Sequence, residues 1–195
     1  MASMKALMPR LAPLLATTPT SLYERQRVLV GADLLAQMEG KGPGSGVHET
    51  SRALAILLIS MMATDSPAEA PERTYRFITL RPTTGECSLT GGSNLVDSIS
   101  ALLDNAELRN KVIDLKISRT SDFALLRYKP HGKSAFGEPT AQQDRMDVSA
   151  TLSGNQLKRI HILVLLTRRA DLRKKSSKDT SAASSRPARR DRRES

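Results

Sequence analysis

The chain has no tryptophan, three tyrosines, three phenylalanines and one cysteine among its 195 residues. With so few aromatics, its core has to be assembled from Leu, Ile, Val, Ala and Met. The lone thiol, Cys87, excludes an internal disulfide framework, cannot hold a zinc ion by itself and fits a reducing cytoplasm. Long hydrophobic runs are also missing. The most apolar stretch, Ala53 to Ala63, falls well short of the roughly 20 residues of a membrane span. Near the N-terminus, Pro9 and Pro13 interrupt Leu7, Leu11, Leu14 and Leu15, so no ordinary signal-peptide core forms. The histidines, His48, His131 and His161, are far apart and show no metal-ligand spacing. Neither Ser93 nor Ser121 has the surroundings of a nucleophile elbow. The sequence therefore predicts no catalytic residue, no metal and no cofactor, and a protein that is not an enzyme, not in a membrane, and cytoplasmic.

The formal net charge is +10, and it is concentrated at one end. Residues 1–60 carry six bases and four acids, and residues 61–167 carry thirteen and twelve. From Arg168 onward there are eleven bases and four acids. The high isoelectric point therefore belongs mainly to the tail and not to a folded basic surface.

Leucines at spacings of three and four over residues 4–16 predict a first helix, kinked or delayed by its prolines. Thr18 followed by Pro19 is an N-cap and first-turn pair, opening a second helix to about Val30. Gly40-Lys41-Gly42-Pro43-Gly44-Ser45-Gly46 permits neither helix nor strand. Short flanks, Leu35–Glu39 and Val47–Thr50, make it the tip of a hairpin. Thr50 or Ser51 caps a third helix, Arg52 to Ala63, which is apolar almost all round. A helix of that kind is either central or shared with a partner, and the second alternative predicts a homodimer. Residues 65–73, with prolines and acids, read as a linker. Beyond it, Thr74–Arg81 alternates like a strand, and Cys87–Thr90 reads as a second short one. Leu95 to about Leu108 reads as a helix capped by Ser93 or Asn94. Val112–Arg119 and Phe123–Lys129 read as a hairpin, and Pro130–Asp147 as irregular. A helix follows over about 155–171. Residues 173–195 lack an apolar stripe and should be disordered.

The chemistry that this order offers is nucleic-acid recognition. Two packed helices joined by a short turn let the second present side chains to base edges. The candidates for the major groove are Thr20, Ser21, Tyr23, Glu24, Arg25 and Arg27. Arginine suits a bidentate contact to guanine, and Ser or Thr suits a base or a phosphate. Lys41 and Ser45, at the glycine-rich tip, are placed for backbone contacts. Arg173, Lys174, Lys175, Arg189 and Arg190 in the tail would add salt-sensitive attraction to phosphate. The glycines do not form a nucleotide-binding loop, because no Gly-Lys-Ser/Thr opens a helix there and no buried strand precedes them.

Residues 4–64 resemble the winged helix-turn-helix domain of bacterial and phage transcription regulators. The resemblance is carried by the order helix, turn, helix, wing, helix, by Tyr23-x-Arg25-x-Arg27, and by Leu34-Leu35 just ahead of the wing. It lacks a clear helix before Met4 and strong basic charge. It implies a winged helix-turn-helix over 4–64. With the linker over 65–73, a small α/β module over 74–172 holding a hairpin and a closing helix, and a disordered basic tail over 173–195, the chain reads as an α+β protein. The implied function is sequence-specific binding of double-stranded DNA in transcriptional control. The alternative is a protein-interaction or assembly adaptor, such as a phage packaging or structural factor, without promoter specificity.

Overall fold

The computed structural model describes residues 3–37, 46–138 and 147–184, with side chains described as far as Ala170. Among the described residues the chain is α+β, with seven α-helices and one four-stranded antiparallel sheet. The helices are α1 (Met4–Leu11), α2 (Pro19–Gly31), α3 (Ser51–Ala63), α4 (Ala70–Ile78), α5 (Leu95–Asp104), α6 (Ala106–Lys111) and α7 (Gly154–Ser184). The strands are β1 (Val112–Ser118), β2 (Ala124–Tyr128), β3 (Gly132–Phe136) and β4 (Ser149–Ser153), in spatial order β3-β2-β1-β4. No helix of the described residues is long and apolar enough to cross a membrane.

Helix α3 is the centre of the molecule. Its side chains from Ala53 to Ser60, with Met62 and Ala63, are buried. Helices α2, α4 and α5 pack on it, together with β1 and β4. The sheet turns Leu115, Ile117, Ala124, Leu126, Phe136 and Leu152 inward, and all are buried. The register pairs Leu115 with both Leu126 and Leu152, so one face of the sheet is mainly apolar, with the buried Ser134 opposite Leu126. The all-round apolarity of α3 thus reflects a central position within one chain. This corrects the expectation of a dimer seam there, because those side chains are already covered.

Capping follows the sequence closely. The Thr18 hydroxyl accepts from Ser21 N at 3.1 Å, and the Thr50 hydroxyl accepts from Ala53 N at 3.1 Å. The Asn94 side chain accepts from Asp97 N at 2.8 Å. The expected helix over 95–108 is two helices instead. Asn105 ends α5 and caps α6, accepting from Glu107 N at 2.9 Å and Leu108 N at 3.2 Å.

Other expectations are corrected. Thr74–Arg81 is not a strand. Buried Ala70, Thr74 and Phe77 recur at helical spacing, and Pro71 occupies the first turn of α4. The apparent alternation came from Tyr75, which faces solvent. Cys87–Thr90 is a turn closed by Gly91 N donating to Cys87 O at 2.7 Å. The segment read as irregular contains β3, paired to β2 from Ala124↔Phe136 to Tyr128↔Gly132. The tail read as disordered from 173 continues α7 to Ser184, and residues 185–195 lie outside the described residues. Pro9 lies inside α1, and Pro13 falls in a short 3-10 turn, Ala12–Leu15. Residues 65–73 run into α4, and one cluster of buried side chains spans both sides of them, from Met4 to Val164.

Candidate nucleic-acid interface

Helix α2 lies on the surface with its two faces sharply different. Leu22, Arg25, Gln26 and Leu29 are buried, whereas Thr20, Glu24 and Arg27 are exposed. Tyr23 is half-buried, with the Lys5 ammonium of α1 over its ring at 5.3 Å. Ser21 is half-buried at the edge of a cleft of about 330 Å³ between the 3-10 turn, the end of α3 and β4. Among the described residues, Arg27 forms no ion pair.

Arg25 does not face solvent, which corrects its assignment as a base-contacting residue. It is 2% exposed, and its guanidinium is spent on the C-terminus of α3. Nη1 donates to Ser60 O at 2.8 Å and Thr64 O at 3.0 Å, and Nη2 donates to Asp65 O at 3.0 Å. Ser60 O belongs to the last turn of α3, whose carbonyls a helix end leaves without intrahelical partners, Thr64 is its C-cap, and Asp65 follows it. Burial pulls the Arg25 pKa below its ordinary value; Asp65 opposes the shift and Arg119 adds to it. Arg119 reaches the same end from the sheet, donating from Nε to Met62 O at 3.1 Å and pairing with the Asp65 carboxylate. Arg109 does the same for α5, donating to Leu102 O at 3.0 Å and Leu103 O at 3.1 Å.

The signal for Arg25 was present in the sequence. Leu22, Arg25 and Leu29 fall at i, i+3 and i+7, so the arginine shares the apolar face of α2. Lys5, Arg109 and Arg119 were missed because their roles depend on contacts between elements distant in sequence.

The glycine-rich loop is closed at its base. Gln37 and Val47 form an antiparallel bridge, and His48 bridges to Ser3. Val47 O also accepts from Met4 N at 2.9 Å, which ties the loop base to the start of α1. The loop residues Lys41 and Ser45 lie outside the described residues. Arg173, Lys174 and Lys175 fall on the backbone of α7 beyond the described side chains, and Arg189 and Arg190 lie outside the described residues.

A smaller polar cluster lies on the opposite flank of α3. The buried Glu49 carboxylate accepts from Arg168 Nε at 3.1 Å. His161 lines the same cleft, near Asp104, which the Ser51 hydroxyl hydrogen-bonds. Burial, then Arg109, hold the His161 imidazole below its ordinary pKa of 6.5. Among the described residues, no three His, Cys, Asp or Glu side chains converge as a metal cluster.

No protein-family model, curated protein or solved structure matches this chain.

Proposed function

We propose that the protein binds double-stranded DNA with sequence preference and acts in transcriptional control in a bacterium or phage, its first 64 residues working as a winged helix-turn-helix. The observation that carries this reading is the outward face of α2. Thr20, Glu24 and Arg27 stand exposed in one line, over a helix whose inner face is fixed by Leu22, Arg25 and Leu29. A helix with a buried inner face and, on its free face, an arginine that makes no ion pair among the described residues is the arrangement that major-groove readout uses. The glycine-rich loop, closed by Gln37 and Val47, supports the wing. In this reading Arg27 contacts a base, Thr20 and Ser21 contact base or phosphate at the helix start, and Arg25 holds the helix in place. Two copies on paired half-sites complete the proposal.

The test is anisotropy binding of the full chain to a selected-fragment library at graded salt. Arg27→Ala and Thr20→Ala should keep the fold, and Arg27→Ala should lose roughly tenfold or more in discrimination at one base position. Uniform, salt-driven binding to every fragment, unchanged by Arg27→Ala, would reject the proposal. That outcome would favour the adaptor reading instead. Footprint length distinguishes one half-site from two.

A further inference from the structure

Helix α7 has a second apolar face, which the described residues leave uncovered. Its inward side, Leu157, Ile160 and Val164, is buried in the core. Its outward side presents Ile162, Leu165 and Leu166, which are 53%, 41% and 47% exposed. They follow an i, i+3, i+4 pattern, one turn of a helix, and form three of the six large apolar side chains exposed among the described residues. A cluster of this kind on a surface marks an interaction site more often than scattered exposed residues do.

Charge decides what covers it. The stripe is bracketed by Lys158 and Arg159 on one side and by Arg169 on the other, beside Arg168, whose charge is paired to Glu49. The nearest acid of its own helix, Asp171, comes after all four. A second copy of α7 would bring these bases together. An antiparallel pair sets Lys158 and Arg159 against Arg169, and a parallel pair sets each of these bases against itself; both are repulsive. The chain's own remaining segments do not fit either. Residues 185–195 carry five arginines against Asp191 and Glu194, and residues 38–45 and 139–146 offer Met38, Ala141 and Met146 as their only apolar side chains.

We infer that the outward stripe of α7, Ile162, Leu165 and Leu166, docks an acidic amphipathic helix of another protein, with apolar anchors spaced to match and carboxylates aligned with Arg159 and Arg169. This is helix-to-helix recognition by i, i+3 and i+4 anchors, with complementary charge setting partner choice. It is independent of α2 and of DNA.

The test uses the full chain and a fluorescein-labelled synthetic helix of about 18 residues, with leucines at matching spacing and glutamates on the flanks. Its twin carries lysines in place of the glutamates. The acidic helix should bind at least about tenfold tighter than its twin and weaken as salt rises. Leu166→Ser should remove most of that binding, and so should Arg169→Glu, which leaves the stripe intact. Both sites are exposed, so circular dichroism should match the wild type. Equal affinity for the two peptides overturns the inference. So does wild-type self-association abolished by Leu166→Ser, which would make a second copy the occupant. Capture on phosphatidylserine vesicles, lost in Leu166→Ser and without peptide binding, would equally overturn it in favour of a lipid surface.

Discussion

Two arginines two residues apart in sequence have opposite fates. Arg25 is inside, bonded to three backbone carbonyls, and Arg27 is outside with no ion pair among the described residues. Arg25→Ala removes a buried donor set and leaves those carbonyls without partners, so urea denaturation should show a loss of about 2–4 kcal/mol. Arg25→Lys should not restore it, because one ammonium cannot span three carbonyls as the planar fork does. Arg27→Ala should change stability by no more than about 0.5 kcal/mol. Any effect of Arg25 variants on DNA binding therefore has to be read after their folding is checked. His161 gives a pH signature. Its pKa in the fold lies below 6.5, so between that lowered value and 6.5 the unfolded chain holds a proton that the folded chain does not. Stability should thus be fully present above about pH 6.5 and fall as pH drops through this window. His161→Gln should flatten that part of the profile in denaturation measured from pH 7 down to about 5.

At the scale of elements, the junctions carry the sharpest constraints. Gly154 joins β4 to α7, and a Cβ there would stand 2.2 Å from Val112 O. Because that neighbour is backbone in the central strand, Gly154→Ala should cost on the order of 2–4 kcal/mol, read by thermal or urea unfolding. Leu57, on α3, is fully buried, so Leu57→Asp should abolish the helical circular dichroism signal instead of releasing folded monomers. These elements also show what was legible in the sequence. Thr18-Pro19 located one helix start, and the pairs Thr50/Ser51 and Ser93/Asn94 each located another to within a residue, because a cap is a local bond between near neighbours. The hairpin of β1 and β2 was legible from its alternation around Thr120-Ser121-Asp122. Helix α4 was not, since Tyr75 and Phe77 alternate in sequence, although only Phe77 packs. Strand β3 was also hidden. Gly132-Lys133-Ser134-Ala135-Phe136 has little strand character, and its pairing with β2 supplies the missing support. Of the expected site, the exposure of Thr20, Glu24 and Arg27 could be anticipated. The inward turn of Arg25 could also have been anticipated from its spacing to Leu22 and Leu29.

At the scale of the whole molecule, charge and fold are separable. Nine bases and three acids lie in residues 173–195, so a chain ending at Leu172 should bind random DNA more weakly and with a shallower dependence on salt. The slope of log affinity against log salt should shrink by about 0.9 for each phosphate contact removed. Sequence preference, where it comes from α2, should survive the truncation. The arginines that seal helix ends have a further consequence for the chemistry the protein shows to reagents. Arg25 and Arg109 are buried, and each is pulled below its ordinary pKa by burial. A guanidinium-modifying dicarbonyl should therefore label the outer arginines of the native chain quickly and reach these two only after unfolding. Part of the formal positive charge acts as internal mortar, invisible to any polyanion that approaches from solution.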